Sequence, residues 1–223
     1  MGNTRVAGLF VLAIIVVSFA GCGNPTAGKP AAEVSEALPI ESSEAAGQGA
    51  SEGNEAAAGV VYVCTDNSGI DFEGYKVTGP HVGGFGKFVG TVTIPDGDIE
   101  QARIRVEIDM TSTYSDNPDL TDRLLGKDFF EIETYPNASF VSTNIELFPD
   151  GTYGVTGNLE LHGITKGITF PASITLEGGT LRAEAEFTIN RFDWDITYEG
   201  MADDLIRKDV LIVFEIEASA EGV

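Results

Sequence analysis

Histidine and cysteine are nearly missing from this chain: two of each in 223 residues. Two Cys cannot build a disulfide scaffold, and two His without Cys neighbours make a poor zinc site, so the sequence implies no metal. Basic residues are scarce, 13 Lys and Arg against 35 Asp and Glu, for a formal net charge of −22. Nucleic-acid phosphates need Lys and Arg to displace their counterions, so nucleic acid is excluded as a partner. Anionic headgroups repel such a chain as well. There is no Gly-x-Ser-x-Gly, no His-Glu-x-x-His and no phosphate-binding loop, so no catalytic motif presents itself. No apolar run reaches the roughly 20 residues of a bilayer-spanning helix. Glycine, in contrast, is plentiful at 27 residues, which points to many turns and hence to strands. An apolar fraction of 43% excludes a fully disordered chain.

The longest apolar run is Val6 to Phe19, preceded by Arg5 and followed by Ala20, Gly21 and Cys22. A short positive start, an apolar stretch and small residues before a candidate cleavage point make a signal peptide over residues 1–21. Phe19-Ala20-Gly21-Cys22 resembles a bacterial lipobox, with Phe19 where Leu is usual. That resemblance implies lipidation at Cys22, a membrane anchor, and a place in the bacterial cell envelope facing the periplasm. Asn24 and Gly23 follow the Cys, without the Asp that resembles an inner-membrane retention signal, which tilts the expectation to the outer membrane.

Residues 22–59 are built from Ala, Gly, Ser, Glu and Pro, with six Glu, one Lys and no aromatic residue. Such a segment buries too little apolar area to offset its ordering entropy, so it is expected to be a disordered acidic linker. Its reach as a flexible coil is on the order of 30–35 Å.

From Val60 to Val223 the pattern changes to period two, the signature of strands with one buried face. In residues 103–110, Ile104, Val106, Ile108 and Met110 alternate with Arg103, Arg105, Glu107 and Asp109. Residues 181–189, 153–161 and 168–176 alternate likewise, with Pro171 on the outward register, which suits an edge or a bulge. Further strands are predicted at 60–65, 68–78, 85–94, 138–148 and 209–219. Pro95-Asp96-Gly97, Pro149-Asp150-Gly151 and Glu177-Gly178-Gly179 read as turns. One segment, 117–127, reads instead as a short helix: Asn117 can cap it, Pro118 fits its first turn, and Leu120 and Leu124 share a face. It either closes a cavity or plugs one end of the sheet. Long antiparallel strands, each apolar on one face, predict an all-β, up-and-down barrel of about eight strands, able to hold one small ligand. Gly157, Ala172, Ala183 and Ala185 are small residues on the inward register, which leaves space inside.

Three stretches, taken in order, resemble the YceI family of bacterial periplasmic proteins. They run from Asn67 through Thr91 (with Gly79-Pro80-His81-Val82-Gly83-Gly84-Phe85), from Arg123 through Phe140 (with Asp128-Phe129-Phe130-Glu131-Ile132), and from Val155 through Lys166. Asn190-Arg191-Phe192-Asp193-Trp194 is similar to a fourth family segment, with Phe192 and Trp194 as departures, and Gly200 to Ile206 resembles one branch of the family. The resemblance implies a lipocalin-like barrel that binds a polyisoprenoid, such as a quinone tail, in its apolar interior without catalysis. The lining expected on the inward register is Ile104, Val106, Ile108, Met110, Val155, Leu159, Leu161, Phe170, Ile174, Ala183, Phe187 and Ile189. Candidate head-group contacts at the mouth are His81, His162, Tyr135 and Trp194. Cys64 reads as a buried, inert thiol. Two rival readings are an exported structural or interaction module with a solid core, and an envelope enzyme using the acidic residues Asp193, Asp195, Asp203, Asp204 and Asp209.

Overall fold

A computed structural model describes Thr26 and residues 28–40 and 59–221. The proposed signal segment and Cys22 lie outside the described residues. Fourteen strands and one helix follow the chain: β1 (Glu33–Glu36), β2 (Val60–Cys64), β3 (Gly69–Lys76), β4 (Gly79–Phe85), β5 (Phe88–Ile94), β6 (Arg103–Asp109), β7 (Thr113–Ser115), α1 (Pro118–Leu125), β8 (Asn137–Leu147), β9 (Tyr153–Leu161), β10 (Ile164–Glu177), β11 (Thr180–Asn190), β12 (Gly200–Met201), β13 (Asp204–Leu205) and β14 (Asp209–Ala220).

Three staves of the barrel are broken. β2 and β3 both pair with β14, at its C-terminal and N-terminal parts. β2 also pairs with β5 and β3 with β4, and these in turn pair with β6 and β7. The breaks fall together: Gly86 N–H donates to the Ser112 carbonyl (3.0 Å) and Asp109 N–H to the Lys87 carbonyl (3.0 Å). Counting each broken pair once, the order is β2/β3, β4/β5, β6/β7, β8, β9, β10, β11, β14 and back to β2/β3. This is a closed antiparallel barrel of eight strands. Closure gives every strand a neighbour on both sides, although β10 and β11 pair only over Ser173–Glu177 and Thr180–Glu184.

Local chemistry sets the connections. β9 and β10 meet through His162-Gly163, both at positive φ (51° and 70°), the two-residue turn whose twist matches a hairpin. Gly178-Gly179 does the same between β10 and β11 (59° and 81°). Asn117 caps α1, its Oδ1 accepting from the N–H of Asp119 (2.9 Å) and of Leu120 (3.3 Å). Inside, Phe170 stacks on Phe187 with centroids 4.2 Å apart, and Phe140 and Phe214 pack around them. Gly157 does not leave space: the Phe140 ring lies where its Cβ would be. Pro171 sits at a locally unpaired edge of β10, as its outward register suits. On one side β10 pairs with β1 up to Thr169 and with β11 from Ser173, so Pro171 lies in the gap where no ladder partner needs its missing N–H.

The expectation of disorder across 22–59 fails for the described part of that segment. Glu33–Glu36 pairs antiparallel with β10, Glu33 opposite Thr169 and Glu36 opposite Lys166. Composition counts apolar area. This strand is held by main-chain hydrogen bonds, which every residue except proline can make.

Candidate functional site

The inward registers converge on two adjoining cavities. The inner one, about 180 Å³, is lined entirely by apolar side chains. The outer one, about 350 Å³, opens at one end of the barrel and so forms its mouth. Phe85, Leu161, Ile189 and Ile212 belong to both walls, so the two cavities adjoin at these four side chains. The outer volume falls at the lower end of what ligand sites show, roughly 300–1,000 Å³, and the inner one lies below it.

All twelve residues expected on the inward register stand on the inner wall, Ile104, Val106, Ile108 and Met110 from β6 and its following turn among them. Period-two alternation places them there: each strand turns every second side chain inward. Ile104, Val106 and Ile108 are only half-buried although they point inward. Ala172 and Ala183 also line this space, while Ala185 is packed in the core.

The mouth is built by strand ends together with α1 and irregular segments. α1 lines one side of it with Leu120, Arg123 and Leu124. Phe72, Phe85 and Phe130 stand around the junction with centroids 5.7–6.3 Å apart. Phe129, Ile196, Met201 and Ile206 complete the apolar wall. Among the polar lining residues, His81 Nδ1 lies 2.9 Å from Asp116 Oδ1, and Lys76 Nζ 3.2 Å from Asp204 Oδ2. Burial and the neighbouring Glu73 push the Tyr75 phenol up, so it stays a neutral hydroxyl.

Arg191 was assigned no role from sequence, yet it organises the mouth. Its side chain is buried and donates to the carbonyls of Ile196, Tyr198 (2.7 Å), Arg207 (3.1 Å) and Ile206 (3.4 Å). Burial lowers its pKa, but a guanidinium at such a height above neutrality remains charged. One cation thus collects the carbonyls of the 196–207 segment, which carries Met201 and Ile206 to the lip.

Of the four expected head-group contacts, only His81 lines the mouth. The other three form a separate cluster. Trp194 is fully buried and its indole N–H donates to the Leu159 carbonyl (3.2 Å), leaving no polar atom for a ligand. His162 Nδ1 lies 3.1 Å from the Trp194 carbonyl, so this nitrogen carries the proton, and Tyr135 packs edge-on against the imidazole at 4.6 Å. His162 Nε2 is buried without a hydrogen bond, 3.8 Å from Glu131 Oε2. The acidic residues of the enzyme reading do not converge either: among the described residues, no three His, Cys, Asp or Glu side chains could share a metal ion. Asp204 is engaged by Lys76 and by the N–H and hydroxyl of Thr78.

Comparison with known proteins matches residues 62–218 to a family model described as a YceI-like domain. A UPF0312 protein of Pseudomonas putida strain F1 is 32% identical over 136 residues, 58% of this chain and 71% of that protein. Among solved structures, Burkholderia cenocepacia BcnA superposes with a TM-score of 0.63 at 26% identity, covering 68% of this chain and 96% of that one. A polyisoprenoid-binding domain from Saccharophagus degradans, implicated in plant cell wall breakdown, superposes with a TM-score of 0.59 at 16% identity, covering 73% and 99%; at that identity the likeness shows the fold.

Proposed function

This chain belongs to the family of YceI-like domains, and on that premise we propose that it is a non-catalytic binder of one long apolar chain of the polyisoprenoid class. A quinone tail is an example of such a ligand. The apolar chain lies in the inner cavity, and its head sits at the mouth near His81. The observation that carries this reading is a wholly apolar inner cavity that adjoins the mouth at four shared side chains. Burying about ten methylene equivalents contributes on the order of 8 kcal/mol, enough to exceed a modest association cost. The polyisoprenoid binding described for the Saccharophagus degradans domain supports the same ligand class. We further propose that a lipid on Cys22 tethers the protein in the cell envelope, facing the periplasm from the outer membrane, where it carries or stores its ligand.

Native mass spectrometry of the intact protein purified from its own membranes tests the binding. A bound lipid that solvent extraction releases is the expected result. Recovery of empty protein alone favours the module with no ligand. For the tether, Cys22→Ser should move the folded barrel from the membrane fraction to the soluble fraction. Persistent pelleting would assign the anchor to the uncleaved apolar segment.

A further inference from the structure

The barrel wall is incomplete between β10 and β11. β9 accompanies β10 from Ile164 to Ala172, but β11 pairs with it only between Ser173 and Glu177. Beyond Glu184, β11 continues to Asn190 with β14 alone among the eight barrel strands beside it. The opening is filled by the chain's own residues 30–36. Thr188 N–H donates to the Pro30 carbonyl (2.9 Å) and Ala32 N–H to the Thr188 carbonyl (2.8 Å), while β1 pairs with residues 166–169 of β10. With one strand inserted, the two walls stand two strand spacings apart, about 10 Å.

This slot has the parts of a peptide site. Two strand edges supply main-chain partners. Gly167 supplies a floor, since a Cβ there would collide with Ser35 and lie 2.9 Å from both the Glu36 carbonyl oxygen and Leu38 Cγ. Asn158, buried on β9, clamps the backbone of Leu38 through both halves of its amide (2.7 and 2.8 Å). The grip is almost wholly polar. All four residues of β1 are exposed, and the two ion pairs, Lys29 with Glu186 and Lys166 with Glu36, lie at the surface. Little apolar burial and exposed ion pairs put this segment at the low-stability end of the molecule. Behind it, Ile168 and Phe170 on β10 and Phe187 and Ile189 on β11 line the inner cavity.

We infer that the slot between β10 and β11 is a binding site for an extended peptide, filled by residues 30–38 as a detachable strap, and that release of the strap opens a side entrance to the inner cavity. Main-chain pairing gives such a site its affinity, and the floor and clamp give it register. An apolar chain passes sideways through the opening instead of threading end-on from the mouth. The entrance rests on the lipid-binding reading; the peptide site does not.

Two measurements on the full chain test this. Hydrogen exchange should show amides 32–38 opening at least tenfold more often than those of β8 and β9, without global unfolding. Exchange of both sets together, only by global unfolding, overturns the strap. Second, Glu33→Cys with Thr169→Cys joins register partners, whose Cα separation of about 4.5–5.5 Å suits a disulfide. Uptake of a fluorescently tagged polyprenyl chain should be at least tenfold slower in the oxidised than in the reduced form of this one protein, with equilibrium affinity held within about twofold. Equal rates overturn the entrance. Absence of probe binding in the wild type and in both forms overturns the lipid-binding reading and the entrance together, and the exchange result still decides whether residues 30–38 are a detachable strap in the slot.

Discussion

Asn158 holds Leu38 by both of the main-chain polar groups that Leu38 possesses. Its Oδ1 accepts from the Leu38 N–H at 2.7 Å, and its Nδ2 donates to the Leu38 carbonyl at 2.8 Å. A side-chain amide thereby does for one residue what a neighbouring strand does for many. Asn158 sits on β9, so the interaction ties the segment ahead of the barrel to the middle of the wall.

Asn158→Ala therefore acts on the strap. Losing the two hydrogen bonds costs about 1–3 kcal/mol, or roughly a ten- to hundredfold rise in local opening. Hydrogen exchange should show that rise over 31–38 and little change in β8. An equal rise in both would make Asn158 a residue of the global core.

Arg191→Met leaves four carbonyls of the mouth without their common donor. Urea denaturation should show a loss of about 3 kcal/mol. Arg191→Lys recovers little of it, because an ammonium lacks the planar fork that reaches carbonyls on both sides. Recovery by Lys would mean that charge alone holds the segment.

Val106→Trp tests the inner cavity. The half-buried Val106 borders free space, so the larger ring has somewhere to go. Thermal melting should shift by only a few degrees, while lipid recovered with the purified protein falls at least tenfold. Undiminished lipid would place the ligand elsewhere.

Gly90 and Cys64 form a tight pair across β5 and β2: a Cβ on Gly90 would run into the Cys64 sulfur. Gly90→Ala should cost about 1–3 kcal/mol, and Cys64→Ala in the same chain should restore most of it, as a double-mutant cycle would read. Burial also pushes the Cys64 thiol up from its ordinary value. Alkylation at pH 8 should accordingly be slower than for a free cysteine. With the folded-state pKa above the unfolded one, this group's contribution to stability is complete below about pH 8.5 and is lost as pH rises through the folded value. A constant stability from pH 7 to 10 in wild type, matched by Cys64→Ala, would remove the coupling.

The parts of this molecule that obey a period were legible in the sequence. Alternation in β6, β9 and β11 placed Ile104, Leu159 and Phe187 on one face, and the structure turns that face into the inner cavity. The Gly178-Gly179 turn was equally plain, because only certain residues tolerate positive φ. The mouth was not legible. Phe129, Phe130 and residues 196–206 come from irregular segments whose position depends on Arg191, and nothing in the local pattern says which carbonyls a buried cation collects. The expectation for Trp194 followed from its amphipathic ring, but its N–H is used inside the protein by Leu159. β1 has no signature in the sequence because strand pairing draws on backbone groups common to nearly every sequence, and the slot that accepts it is created by strands more than 120 residues away.

Order in residues 28–40 has a mechanical consequence. With the lipid proposed for Cys22, the tether to the barrel is shorter than 37 residues, because the chain is already engaged at Thr26, which is buried, and at Lys29, which pairs with Glu186. Tension from the membrane then enters the barrel through the strap, before it reaches β2 or any other stave. The weakest-held strand of the wall stands first in line to bear the load, and it acts as a fuse that peels while the eight-stranded ring keeps its shape.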